Sequence, residues 1–134
     1  MSRVRWSADL ECGVKVLDLQ HQELVAIINA MEDCLDCGEF QLELSKDVMR
    51  RLASYIVFHF QTEERLMVGH KVASKHAEAH RREHQAFADF VSKAAGRLEE
   101  GRLREQLPAL SAYLHKWLLD HVTKTDRQLA KYIL

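Results

Sequence analysis

Four successive stretches of this chain repeat apolar residues at steps of three and four, a periodicity that fits amphipathic helices and little else. The first opens with Asp18 as a candidate N-cap, runs through His21, Leu24, Val25, Ile28, Met31 and Leu35, and meets a stop at Gly38. The second follows Ser45, with Val48, Leu52, Tyr55, Ile56, His59, Phe60, Glu63 and Met67 on one stripe and Gly69 near its end. The third starts near Ser74, carries His80, His84, Phe87, Val91, Ala95 and Leu98, and stops near Gly101. Pro108 fits the first turn of the fourth, whose stripe is Leu110, Leu114, Trp117, Leu118, His121, Val122, Leu129 and Tyr132. Ahead of them, residues 6–16 hold irregularly spaced hydrophobes and Gly13, and read as an extended arm. Helices of about 20 to 28 residues span roughly 30 to 40 Å, and short connections force neighbours to run antiparallel. The expected fold is therefore all-α: an up-down-up-down antiparallel four-helix bundle with an extended N-terminal arm.

Composition narrows the rest. A chain of 134 residues suits one domain, 1–134, and 47% hydrophobic content with five Gly and one Pro is a poor fit to disorder, collagen or a β-sandwich. Nineteen Lys and Arg against 20 Asp and Glu leave no basic stripe, so nucleic acid is not an expected partner. The apolar runs are too short to cross a bilayer, so no membrane partner is expected either, and a cytoplasmic location is. Three cysteines read as free thiols, with Cys34 and Cys37 taken as small residues near a helix end rather than a redox or metal motif. Eight histidines are the unusual feature.

Their placement points to chemistry. His21, His59, Glu63, His80, His84 and His121 all fall on stripes that face the interior. Burying one polar side chain without a partner costs about 1–3 kcal/mol, so six scattered separately would cancel the stability of a small domain. They must satisfy one another. His59 with Glu63, and His80 with His84, are spaced i,i+4, which stacks both side chains on one helical face as two ligands to one site. Imidazoles and carboxylates without an inward thiolate favour iron, zinc, copper or nickel over iron–sulfur clusters. More than four candidate ligands is too many for one tetrahedral zinc and points to two metals. No Glu-x-x-His occurs, which disfavours ferritin-like chemistry. His70 and His115 read as surface residues.

The ordered set of His21, His59-x-x-x-Glu63, His80-x-x-x-His84 and His121-x-x-x-x-Asp126 resembles the hemerythrin family, in particular its single-domain bacterial members. The likeness extends to the Trp6 arm, Gln20, Asn29, Phe60, Glu64, Met67, Glu83, Phe87 and Trp117-Leu118. It implies two irons bridged by oxo or hydroxo, one held by His80, His84 and His121, the other by His21 and His59, with Glu63 and Asp126 bridging both. Six-coordination fills the first iron and leaves the second one ligand short, where family members bind dioxygen reversibly. Trp117, Leu118 and Val122 resemble the wall of that pocket. The Tyr-Pro common between helices two and three is replaced by Gly69-His70-Lys71, which opens a competing register, because His76 and His80 are also i,i+4. The local match of Glu83-His84 and Phe87 favours His80 and His84. Asp126 poses a geometric problem: five residues turn about 140° on an ideal helix, so helix four is expected to depart from α geometry, as a π-bulge, after His121.

The resemblance implies oxygen delivery, storage or sensing by a protein that is not an enzyme. The alternatives are an oxygen- or redox-sensing input module of a signalling protein, and di-iron turnover of peroxide or nitric oxide. Turnover ranks lower because the residues expected near the open iron are apolar, with no general acid or base among them. No protein partner can be named from the residues.

Overall fold

Helix α1 (Lys15–Asp36) begins after Val14, whose extended backbone sets the entry angle. Asp18 lies inside the first turn and is not the N-cap expected of it. Its carboxylate reaches back over the helix start, accepting hydrogen bonds from the N–H groups of Cys12 at 2.8 Å and Gly13 at 3.2 Å. Gly13 stands at φ +94°, where a side chain would be strained and a Cβ would press on Leu134. The arm ahead of it is extended apart from one 3-10 turn, Ala8–Leu10, and the last two residues of the expected arm, Lys15 and Val16, are already helical. Asn29 holds the arm along α1 by exchanging two hydrogen bonds with the backbone of Val4, at 2.8 and 2.9 Å.

The computed structural model describes residues 3–37, 41–99 and 103–134 of the chain, with the side chains of residues 98, 99 and 103 left aside. The expected stops at Gly38 and Gly101, and the Leu98 side chain, lie outside the described residues. Helix α2 (Leu42–Gly69) starts ahead of Ser45, which is buried and donates to the carbonyl of Gln41 at 2.9 Å instead of opening the helix. It ends at Gly69 as expected, but the left-handed residue that closes it is Lys71, at φ 51°. The N–H groups of Val72 and Lys71 return to the carbonyls of Met67 and Val68, the paired bonds of a Schellman ending.

Helix α3 (Ser74–Glu99) follows after four residues. Helix α4 (Leu103–Trp117) contains Pro108 as its sixth residue, not in its first turn. One backbone bond near the helix start is lost there, because proline has no N–H to offer Arg104. The rod continues through a π-helical segment, Leu118–Thr125, into α5 (Asp126–Ile133). Among the described residues there is no strand. Each rod packs on its sequence neighbours, and α1 also packs on α4, closing the ring of an up-down-up-down bundle.

Two apolar clusters fill the bundle. The larger holds Leu24, Ile27, Ile28, Met31, Leu52, Phe87, Leu107, Leu110 and Leu114, all essentially free of solvent contact. The smaller holds Leu17, Met67, Ala77 and Leu129 at the opposite end. Every rod passes from one cluster to the other through a short polar stretch, and these stretches meet in a single layer.

Candidate metal centre

Seven side chains form the layer: His21 from α1, His59 and Glu63 from α2, His80 and His84 from α3, His121 from the π segment and Asp126 from the start of α5. None is more than 3% exposed. Each comes from a position whose neighbours on the same stripe are core residues, so the packing that buries Leu24 or Phe87 also brings the imidazoles inward.

Their donor atoms fall into two sets. Glu63, His80, His84, His121 and Asp126 place one ligand atom each within 4.8 Å of one another, and so do His21, His59, Glu63 and Asp126. Both carboxylates belong to both sets. Asp126 divides its oxygens between them: Oδ1 lies 3.1 Å from His80 Nε2 and 3.0 Å from His121 Nε2, while Oδ2 lies 2.8 Å from His21 Nε2 and 3.7 Å from His59 Nε2. Glu63 Oε1 sits 3.0 Å from the Nε2 atoms of both His59 and His84, and 3.3 Å from that of His80. All five imidazoles therefore present Nε2 to the centre.

Asp126 reaches this layer because of the backbone around it. The N–H of Asp126 bonds to the carbonyl of His121, five residues back, as the expected departure from α geometry requires. On this wider turn the two residues lie nearly above one another, so both side chains face inward.

Outer contacts orient the rings. His59 Nδ1–H donates to Gln20 Oε1 at 2.7 Å, which fixes the tautomer with a lone pair on Nε2. Gln20 is held in turn by its amide's bond to Thr62 Oγ1 at 2.9 Å. His80 Nδ1 meets His76 Nε2 at 3.0 Å, so His76 stands behind His80, outside the layer. His121 Nδ1 faces Glu83 Oε1 at 3.4 Å, and Thr125 donates to the same carboxylate. Gln20, His76 and Glu83 were not expected in these roles, since each sits off the apolar stripe; an i,i+4 search for a second polar residue behind each ligand would have found only His76.

The electrostatics are those of a site that competes for protons. Burial alone would lower His59, but the Glu63 charge, aided by Asp126, raises it to about 9. His121 is raised well above its ordinary value, against burial, by Asp126. Burial would raise Glu63, yet His59 and its neighbours hold it well below the usual carboxylate range; Asp126 is likewise held low by His121 against burial and the Glu63 charge. His84 goes the other way, to about 4, because burial dominates and its Glu63 contact only partly offsets it.

Donor atoms are left over. His59 Nε2, His121 Nε2, Glu63 Oε2 and Asp126 Oδ1 are buried and make no hydrogen bond of acceptable geometry, although oppositely charged groups lie close. Each such orphan costs about 1–3 kcal/mol. Nitrogen and oxygen donors converging with unused lone pairs suit a cation of the iron or zinc type. A third grouping, Cys12, Asp18 and His21, is unlike this: burial pushes the Cys12 thiol up to about 12, and the Asp18 oxygens already accept backbone N–H groups.

Trp117, Leu118 and Val122 are buried in the larger core cluster beside the layer, with Trp117 stacked on His121 at 3.9 Å between ring centres. The expectation that only apolar groups adjoin the two-histidine side needs correction. Tyr55 stacks on His59 at 4.9 Å, and its hydroxyl is buried without a partner. His70 is exposed as expected, whereas His115 is half-buried and donates to the carbonyl of Ser111 at 2.8 Å. Cys34 is buried and Cys37 half-buried, both as free thiols. No helix among the described residues is long and apolar enough to cross a membrane.

Known proteins resemble this chain over most of its length. The hemerythrin HHE cation binding domain matches residues 12–133. The bacteriohemerythrin of Pseudomonas aeruginosa is 30% identical over 127 residues, covering 94% of this chain and 78% of that protein. The bacteriohemerythrin of Stenotrophomonas maltophilia is 26% identical over 133 residues, covering 99% and 83%. A hemerythrin-like protein of Naegleria gruberi is 28% identical over 125 residues, covering 93% and 89%. With a family match across nearly all of its length, laid over a buried cluster of histidines and carboxylates, the chain belongs to the hemerythrin family.

Proposed function

We propose that this protein binds dioxygen reversibly at a non-haem di-iron centre, for delivery, storage or sensing, with residues 1–134 acting as one domain and without enzymatic turnover. One observation carries the reading: seven buried side chains divide into sets of three and two imidazoles that share both carboxylates. In this reading His80, His84 and His121 hold one iron, His21 and His59 the other, and Glu63 and Asp126 bridge the two. When bound, such an iron pair with its oxo or hydroxo bridge supplies reversible dioxygen binding at the ion that the protein leaves one ligand short.

The chain's own part is to create that asymmetry and keep water out. Leu118 and Val122 are 3% and 1% exposed, and Trp117 covers the face of His121. A dry, apolar surround protects a reactive centre from hydrolysis and proton leakage. Gln20 and His76 hold the His59 and His80 rings by hydrogen bonds and Glu83 lies beside His121, so ligand geometry does not depend on the ion alone.

The test is direct. Protein reconstituted with ferrous iron in the absence of air should hold two irons per chain, gain a visible absorption band on exposure to air, and lose it on degassing. One iron per chain, or a band that decays irreversibly with substrate turnover, would refute the proposal. A colourless zinc protein from cells would do the same.

A further inference from the structure

Apart from nitrogens of the ligand rings themselves, among them the Nδ1 atoms of His21 and His84, two buried hydrogen-bond donors have no partner, the Tyr55 hydroxyl and the Trp117 indole N–H. Tyr55 is 4% exposed and Trp117 8%. Each lies one helical turn before a ligand, Tyr55 before His59 and Trp117 before His121, and α2 and α4 run parallel in this bundle. The two donors therefore occupy one level, stacked directly on the metal layer at its face toward the larger core cluster. Both rings lie flat on ligand rings, tilted 13° from His59 and 11° from His121, so packing dictates where their polar atoms go. The electrostatic neighbours of the phenol include Glu63, Asp126 and the Trp117 N–H, which places the two donors side by side beside the carboxylates, close enough to interact but in no hydrogen bond of acceptable geometry.

A phenylalanine at position 55 would fill nearly the same space and leave no hydroxyl unsatisfied. Retaining two donors at a cost of about 1–3 kcal/mol each implies an acceptor that arrives later. A groove of about 370 Å³ between α1 and α2 has Tyr55, His59, Gln20 and Ser54 in its wall, so this ring pair separates the layer from solvent. The hydroxyl itself opens neither to the groove nor to any partner.

Resting on the reading of a di-iron centre, we infer that Tyr55 Oη–H and Trp117 Nε1–H form a donor pair that receives the outer atom of a small ligand bound on the two-histidine side. The pair selects ligands of two or three atoms whose terminal atom accepts a hydrogen bond, such as dioxygen or azide. It acts by binding and positioning, not by proton transfer.

Azide titrated into the diferric protein and followed by its visible band tests this. Tyr55→Phe should keep two irons per chain and the wild-type helical content, yet bind azide about 5- to 20-fold more weakly, the loss of one hydrogen bond to a charged acceptor. The azide stretching frequency should shift in deuterated water for the wild type, and this shift should shrink in Tyr55→Phe. Global replacement of tyrosine by 3-fluorotyrosine, a stronger donor of the same shape, should tighten binding, and this arm holds even where the phenylalanine variant folds poorly. Equal affinities with an unchanged isotope shift would overturn the inference alone. A wild type that takes up no iron pair, or binds no azide, would overturn the di-iron reading and this inference with it.

Discussion

Asp126 shows how much one carboxylate is asked to do. Its two oxygens face two different groups of imidazoles, and with Glu63 it is the only negative charge inside a layer of five buried rings. Neutral rings with lone pairs inward and ionised carboxylates are the protonation states a divalent ion selects. The histidines on α3 give the sharpest test of the assignment. His84 Nε2 points at Glu63 Oε1, whereas His76 meets the far side of His80 and the ring of Tyr132. His84→Ala should therefore lower iron content well below two per chain, as measured by metal analysis of purified protein. His76→Ala should leave the stoichiometry at two and weaken affinity by about 10- to 100-fold, the usual effect of losing an outer partner. The reverse pattern would put the inward pair at His76 and His80. Sequence periodicity alone could not separate these pairs, since each i,i+4 step drifts by only about 40°. The five ring positions and Glu63 were legible because polar residues on an apolar stripe demand partners. Gln20 and Glu83 were not, because nothing in their spacing distinguishes a residue that backs a ligand from one that faces solvent. Tyr55 was hidden for the opposite reason: on an apolar stripe a tyrosine reads as packing, and its unpartnered hydroxyl shows only in three dimensions.

The π-helical segment is the element on which the centre depends. Ordinary α geometry would swing Asp126 away from His121 by about 140° and leave the layer with one carboxylate. Sequence spacing exposed this conflict, and the backbone resolves it with an i→i−5 bond from Asp126 to His121. Helix boundaries were less legible. Asp18, Ser45 and Pro108 carry residue types that commonly start helices, yet each lies within the first two turns; Leu17 and Leu107 are buried ahead of Asp18 and Pro108, and Ser45 is itself buried with its hydroxyl on the Gln41 carbonyl. A π-bulge is one extra residue in a helix, which makes its removal informative. Deleting the exposed Lys124 should restore an i,i+4 relation between His121 and the aspartate, retain two irons per chain, and remove the π signature from a crystal structure. Inserting one alanine after Lys124 should rotate the aspartate out of the layer and reduce iron content to one or none. Two irons per chain in the insertion variant would show that the centre does not need Asp126.

At the scale of the molecule, a polar layer between two apolar clusters couples folding to metal and to pH. In the metal-free protein His59 is raised to about 9, and His80 and His121 are raised as well, each against burial, by the two carboxylates. A raised histidine adds stability that is fully present below its unfolded value of about 6.5 and is lost as pH climbs through the folded value. Glu63 and Asp126, both held low, add stability that is present above about 4.5 and lost in acid. The metal-free protein should thus weaken between pH 6.5 and 9 as the layer loses its protons. The loaded protein has no such protons to lose, because ligation requires neutral rings, and its affinity for metal rises over the same range. The gap in Tm between loaded and metal-free forms should therefore widen from pH 6.5 to 9. At free metal a thousandfold above its dissociation constant, loading contributes about 4 kcal/mol, or roughly 10 to 15 °C for a domain of this size. Thermal melts with ferrous iron under anaerobic conditions, and with zinc as a redox-silent control, measure the gap at each pH. A gap that stays constant or narrows over that interval would mean that protons and metal do not compete for His59, His80 and His121.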